Sequence, residues 1–292
     1  MRLFIVILTF NGYTDTLDCL ASIQPLLNDN VICIVVDNAS SDGTVNQILR
    51  HYPNHPHIVI LQNTTNLGVP RGYNVGFRYA MAQSADAVLM LNNDTVLAPD
   101  MLSHLSAMAL NEDVGICVPI AYEFHRPQKI WSAGARYRFL PPAFVMDNTI
   151  TGQTRELEYA IACCILITRH AFEKVGLLDE SIFFMWEDLE FCERVRQAGL
   201  RIVQVPAAKM WHKVSQTTQP QTPLFWQMHG ESSVLYFRRH SRAPVFAVLV
   251  NMGWFALREF GLKARPQFFP AFIRGLRSGW QKPLLDIQKL TT

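Results

Sequence analysis

Glu187 and Asp188 are adjacent carboxylates that follow Trp186 at the head of a charged, helix-patterned stretch. An ionised carboxylate there can take a proton from an attacking hydroxyl, so either acid is a candidate general base; adjacent acids also complement a helix N-terminus. Asp94 closes the apolar run AVLMLNND. A carboxylate at a rigid strand end is a good ligand for a hard cation, and equally a cap for a helix beginning near Pro99. Asp37 closes VICIVVD before the turn-rich NASSDGT; it can accept hydrogen bonds from a base or ribose, or form an Asx turn. In NLGVPRGYN, glycines permit close backbone approach and Arg71 is a fixed cation suited to a diphosphate. Thr9 and Asn11 lie at the end of the first apolar run, and His212 follows the last one; a lone histidine is as readily structural as a ligand.

Such groups need a frame that gathers them. LFIVILTF, VICIVVD, HIVIL and AVLMLNND read as buried strands, separated by helical patterns over residues 14–27, 44–52 and 72–83. Near-continuous apolar strands with helical crossovers indicate an α/β protein with a mostly parallel, Rossmann-like sheet and flanking helices, in which ligands bind beyond the carboxyl ends of the strands. That rule puts Thr9, Asn11, Asp37 and Asp94 on one rim. Residues 121–158, rich in Arg, Pro and aromatics, read as irregular and partly exposed. Beyond them YAIACCILI reads as a strand, RHAFEKVG as a short helix, MWEDLEFCERVRQAGL as a helix ending at Gly199, and RIVQVP as a strand leading to Trp211-His212.

The bulk composition narrows the functions. Of 292 residues, 49% are hydrophobic and 17% charged, enough for a substantial core. A net charge of +2 gives no argument for nucleic acid. The first strand is followed by neither the GxGxxG loop of a nicotinamide dehydrogenase nor the glycine-rich basic loop of a nucleotidyltransferase. The six cysteines form no CxxC pair and sit among apolar neighbours, which suits free buried thiols in a reducing, cytoplasmic setting. The apolar run from Leu3 to Phe10 is too short for a signal peptide and reads as a strand.

The ordered set ILTFNG, VVDNASSDGT, NLGVPRGYNVG, LMLNNDT, VGLLDESIFFMWEDLEFCERVRQAGLRI and the final WH resembles the family 2 inverting glycosyltransferases of the GT-A fold, with a rhamnosyltransferase-like flavour from bacterial surface-polysaccharide synthesis. The resemblance spans about Leu3 to His212. It implies a catalytic domain over 1–222, with a nucleotide-binding half (1–120) and an acceptor half (121–222). It further implies a sugar transferred from a nucleotide-diphosphate donor, dTDP-rhamnose or a UDP-sugar, to a hydroxyl of a glycan or lipid-linked acceptor. Thr9, Asn11 and Asp37 would hold the nucleoside, and Asn66 and Arg71 would lie along the base or diphosphate. Asn92, Asn93 and Asp94 would take the place of the DxD motif, with Mg²⁺ or Mn²⁺ on Asp94 and His212. Asp188 would be the base, with Glu187 orienting the acceptor or the helix. Asn92 departs from the acid usual at the first motif position, so metal binding leans on Asp94, His212 and the phosphates. A non-catalytic sugar- or nucleotide-binding protein of the same fold is the alternative.

The tail is different in kind. Residues 236–292 carry ten Lys and Arg against two acids, with aromatics interleaved around the apolar APVFAVLVNMGWFALREFGL. Asn251, Arg258 and Glu259 interrupt that run, so 223–292 reads as a C-terminal basic, aromatic-rich helical appendage lying on the anionic inner face of the cell membrane; packing on the catalytic domain or against a second copy would use the same surface.

Overall fold

The computed structural model describes residues 1–139, 143–214, 222–263 and 265–287. The chain opens with β1 (Leu3–Thr9), α1 (Tyr13–Ile23), β2 (Val31–Asp37), α2 (Thr44–His51), β3 (Ile58–Gln62), α3 (Val69–Ala82) and β4 (Ala87–Asn92). It continues through β5 (Thr95–Leu97), α4 (Met101–Ala109), β6 (Val114–Glu123), β7 (Arg126–Ser132), β8 (Ala135–Arg138), β9 (Ala143–Met146), β10 (Arg155–Leu157), β11 (Cys164–Thr168), α5 (Arg169–Val175), α6 (Glu187–Gln197) and β12 (Arg201–His212). The C-terminal helices are α7 (Pro223–His240), α8 (Pro244–Ala256), prolonged by a π turn over Leu257–Leu262, and α9 (Phe269–Gln281).

A ten-stranded sheet has the order β10-β12-β6-β11-β4-β1-β2-β3, with β5 on β12 and β7 on β6. β3, β2, β1, β4, β6 and β12 point one way, and β11 is inverted between β4 and β6. This is the expected mostly parallel GT-A sheet. The apolar runs are continuous because both faces are covered: Phe4 and Val6 join the core beneath α3 and α6, while Leu3, Ile5 and Ile7 join the core beneath α1 and α4. Fully buried Phe4, Phe77, Phe172 and Phe191 each contribute about 1.5–3 kcal/mol. Gly72 and Gly76 face β1; a side-chain carbon on Gly72 would come 2.5 Å from Leu8 Cδ1, and one on Gly76 would strike Val6. These two glycines bring helix and sheet together, so the closeness they permit is to β1.

Several boundaries differ from the sequence reading. α3 starts three residues early, at Val69, because Pro70 fits a first helical turn and the Val69 amide donates to Phe183 O. Only the second half of YAIACCILI is strand. Tyr159, Ala160, Ala162 and Cys163 are buried outside it, where the Tyr159 hydroxyl reaches Asp188 and Cys163 O accepts from the Asn92 amide. The segment 121–158 is not irregular: β7 folds back on β6, β8 pairs with β9, and β10 joins the edge of the sheet. Arg-, Pro- and aromatic-rich short strands, with much of β7 to β9 exposed, carry little apolar alternation, which is why they escape notice. The boundary expected at 222/223 adjoins residues 215–221, which lie outside the described residues.

The C-terminal helices share the core. Trp226, Val234 and Phe237 of α7 belong to the same buried cluster as Phe4 and Val36. α9 lies so close to α7 that side chains on Gly275 or Gly279 would strike the α7 backbone. Ion pairs complete the attachment. Buried Asp179 accepts from Arg239 Nε at 3.0 Å and Nη2 at 2.8 Å. On α6, buried Glu190 accepts from Arg194 Nε and Nη2, each at 2.8 Å, and lies 3.2 Å from His240 Nε2. Burial alone would raise Glu190, but Arg194 and His240 hold it down to about 2.

Candidate active site

Parallel register brings three strand ends abreast: Thr9 of β1 lies opposite Asp37 of β2, and Leu8 opposite Asn92 of β4. The loops leaving them are cross-linked by their own polar side chains. Asn11, in the left-handed region at φ 51°, accepts at Oδ1 from the Ser41 amide at 2.7 Å. Asn93 Nδ2 donates to Thr16 Oγ1 at 3.1 Å, and the Thr9 and Thr16 hydroxyls are 2.8 Å apart. Asn92 Oδ1 accepts from the Tyr73 hydroxyl at 3.1 Å. Asn38, passed over in the sequence beside Asp37, is buried and knits the third loop: its Nδ2 donates to Asn66 Oδ1 at 3.0 Å, and its Oδ1 accepts from the Leu67 amide at 3.1 Å.

Asp37 is buried, with Oδ2 accepting from the Ser40 amide at 3.1 Å and Oδ1 without a partner among the described residues. A buried carboxylate oxygen left unpaired at a strand end suits a ligand N–H or O–H. Arg71 sits elsewhere: its Nε donates to Glu180 O at 3.0 Å, and it lines an adjoining cleft with Asn66 and Lys282 rather than the main cavity.

His212 and Asp94 meet because β5 pairs antiparallel with β12, setting His212 opposite Thr95. His212 Nε2 lies 3.1 Å from Asp94 Oδ1, both residues are buried, and Trp131 stands edge-on to the imidazole at 4.4 Å. The pair fits a divalent ion: donors at about 2.1 Å in neighbouring octahedral positions are about 3 Å apart. Among the described residues no group of three or more His, Cys, Asp or Glu gathers as a metal site, so the remaining positions would fall to phosphate and water. Thr9, Asn11, Asn92, Asn93, Asp94 and His212 all line one cavity of about 780 Å³, and Asn66 lines it as well.

A second cavity, of about 660 Å³, adjoins it, and Phe184 and Phe225 line both. Glu187 and Asp188 line this second space. Met185 and Trp186 immediately precede them, both left-handed at φ 62° and 69°, which costs about 1–3 kcal/mol each. Trp186 is buried against Tyr137, Phe144 and Tyr236, and that packing holds the turn. Asp188 Oδ2 accepts from the Tyr159 hydroxyl at 2.6 Å, and Oδ1 from the Leu189 amide at 2.8 Å. Burial raises Asp188, and these donors oppose the rise. Glu187 has a buried, unpartnered Oε2, and burial beside the Asp188 charge pushes it up to about 8. The acid that keeps hydrogen-bond donors is therefore the one that ionises first. Tyr159, Trp131 and His229, which also lines the second cavity, were not singled out in the sequence; Tyr159 stood at the head of the apolar run before the double cysteine.

The sequence pattern described as glycosyl transferase family 2 matches residues 4–176, well over half the chain. That span includes Thr9, Asn11, Asp37, Asn66, Arg71 and Asn92 to Asp94 and stops short of Glu187, Asp188 and His212. The chain is 25% identical over 219 residues to the dTDP-rhamnosyl transferase RfbF of Shigella flexneri, covering 73% of this chain and 69% of that protein. It is also 25% identical over 254 residues to the N-acetylglucosaminyl-diphospho-decaprenol L-rhamnosyltransferase of Mycobacterium tuberculosis, covering 77% of this chain and 82% of the relative. Among solved structures, GalNAc-T7 with UDP, GalNAc and Mn²⁺ superposes with a TM-score of 0.61 at 15% identity. The match covers 83% of this chain and about half of that one, at 51%, and it bears on the fold alone.

Proposed function

The chain belongs to glycosyl transferase family 2 and is a glycosyltransferase, and from that premise we propose that it moves a rhamnosyl group from dTDP-rhamnose, or a hexose from a UDP-sugar, to a hydroxyl of a glycan or lipid-linked acceptor in cell-surface polysaccharide synthesis. The observation that carries the reading is the meeting of two unlike cavities at Phe184 and Phe225, one ringed by strand-end polar groups and the Asp94–His212 pair, the other holding the Glu187–Asp188 acids. The rhamnosyl preference is drawn from the relatives' names.

In this reading Asp37 takes a hydrogen bond from the base, Thr9 and Asn11 border the nucleoside, and Asn66 and Arg71 flank it from the margin. Asn92 and Asn93 fix the loop beneath the ribose and diphosphate. Asp94 and His212 would hold Mg²⁺ or Mn²⁺, which when bound supplies positive charge to the departing diphosphate. Asp188 accepts the proton of the acceptor hydroxyl as that oxygen bonds to the anomeric carbon and the nucleoside diphosphate leaves from the opposite face. Protonated Glu187 donates a hydrogen bond that orients the acceptor. Inversion follows from a single displacement.

We also assign the protein to the cytoplasm, against the inner face of the membrane. The helix Pro244–Leu262 has a mean hydropathy of 1.4 over its most apolar stretch, only 33% of which is buried, and Val245, Leu249 and Leu257 recur on its exposed side. A panel of nucleotide-sugars, each with Mn²⁺, tests the whole reading by thermal unfolding. The rhamnosyl or UDP donor should raise the midpoint by binding only the native state, and should be consumed when lipid-linked glycan is added. A panel in which no nucleotide-sugar stabilises the protein overturns it.

A further inference from the structure

We propose that the cavity beside Asp188 is built for a glycosyl phosphate, with the sugar ring against its aromatic walls, one ring substituent on the imidazole of His229, and the phosphate on Arg265. The proposal rests on the acceptor reading above and names what that acceptor carries.

The walls are Phe144, Trp186, Phe225 and Phe255, flat apolar surfaces of the kind that cover the C–H face of a pyranose. The floor carries a buried donor. His229 is 6% exposed and stacks on Phe255 with centroids 4.4 Å apart and an interplanar angle of 28°. The indole Nε1 of Trp186 donates to its Nδ1 at 3.3 Å. An indole N–H cannot accept, so Nδ1 holds the lone pair and Nε2 holds the proton. Burial lowers His229 to about 4, which keeps this tautomer uncharged at cellular pH. Nε2 is buried and has no partner among the described residues, and the same holds for Glu187 Oε2 in this cavity. Leaving such a donor unpaired is costly, and a ligand oxygen on His229 would relieve it.

The rim is cationic. Glu259 accepts from Arg258 Nε and Lys263 Nζ, each at 2.9 Å, so one carboxylate serves two cations. Arg265, half-buried on the same rim, has no carboxylate partner among the described residues. A guanidinium presents paired donors matched to a phosphate, whereas a neutral glycan would leave Arg265 without an anion. A free sugar phosphate and a lipid-linked one share this chemistry. The exposed apolar side of α8, leading from Leu249 through Leu257 towards the rim, offers a path for the second.

The test follows the fluorescence of Trp186 and Trp226, with the first cavity filled by the nucleoside diphosphate that stabilises the protein most. The ligands are glucose 1-phosphate, N-acetylglucosamine 1-phosphate, their methyl glycosides, and farnesyl-diphospho-N-acetylglucosamine. A phosphate-bearing sugar should bind about tenfold more tightly than its methyl glycoside, and Arg265→Ala should erase that preference. His229→Phe should weaken phosphate and glycoside alike, with nucleoside diphosphate affinity kept as the check on folding. Tighter binding of the farnesyl compound makes the acceptor lipid-linked, and equal binding makes it a soluble sugar phosphate. Equal affinity for phosphates and glycosides, no binding of either, or a preference that survives Arg265→Ala overturns the proposal. If nucleotide-sugars still bind in those samples, the glycosyltransferase reading stands and only the glycosyl phosphate falls.

Discussion

The two cavities that meet at Phe184 and Phe225 are made of different material. The first is rimmed by strand ends: Thr9, Asn92 and Asp94 are placed by backbone register, and amides and hydroxyls tie their loops to one another. The second is walled by side chains from β9, α6, α7 and α8, elements far apart in the chain and held by aromatic packing. In the proposed reading, the half facing a common ligand, a nucleotide, draws on the rigid sheet. The half facing a variable ligand draws on aromatic side chains of helices that pack into the same core.

Substitutions should respect that division. Asp188→Asn should lower turnover by about 10²–10⁴-fold while nucleotide-sugar affinity, measured by thermal shift, stays unchanged; a matching loss of donor affinity would move Asp188 into the first cavity. On the other side, a chelator should abolish activity and Mn²⁺ or Mg²⁺ restore it. His212→Ala should raise the metal concentration for half-maximal rate about 10–100-fold with acceptor KM unchanged. Full activity in chelator would remove the ion from the mechanism. On the exposed side of α8 and its π turn, Leu249→Glu with Leu257→Glu should weaken sedimentation with phosphatidylglycerol vesicles about tenfold and spare nucleotide binding. Pelleting equal to the parent protein would take α8 off the membrane.

The smallest effect is on stability. Glu187, raised to about 8, favours folding most when both states hold it protonated, below its ordinary value of 4.5; that contribution is lost as pH rises through 8. Glu187→Gln should therefore melt about 5–10 °C above the parent at pH 8.5 and alongside it at pH 4. Equal melting points at both values would mean that Glu187 is not held neutral.

The same division governs what could be read in advance. β1, β2 and β4 announce themselves because strands covered on both faces must be apolar throughout, so the polar residues that end them stand out. Asp94 and His212 are 118 residues apart and meet through the β5–β12 pairing. No local pattern encodes that pairing, and only likeness to a family suggested it. Tyr159 was hidden in an apolar run, and the alternation in β7 to β9 is too weak to mark strands. His229 lies on a helix whose buried residues include Ser232, Ser233 and Gly230 as well as Trp226 and Val234, so its inward direction cannot be inferred from hydrophobic spacing.

The pairing of Asp179 with Arg239, and of Glu190 with Arg194 and His240, bears on how such enzymes can be recombined. A chimaera that kept residues up to the end of β12 and grafted on another tail would strand Asp179 in the interior unless the graft brought a cation to position 239, and would leave Glu190 on Arg194 alone unless it brought a hydrogen-bond partner to position 240. Removing one partner from such a buried pair costs about 3–5 kcal/mol, a large share of an ordinary domain's stability. The acid pair on α6 sits at the head of the helix that carries Glu190, so a tail that folded but met Glu190 badly would disturb that pair from a distance. Acceptor specificity can therefore be exchanged only together with its electrostatic latch, which makes positions 179, 190, 239 and 240 one unit of inheritance.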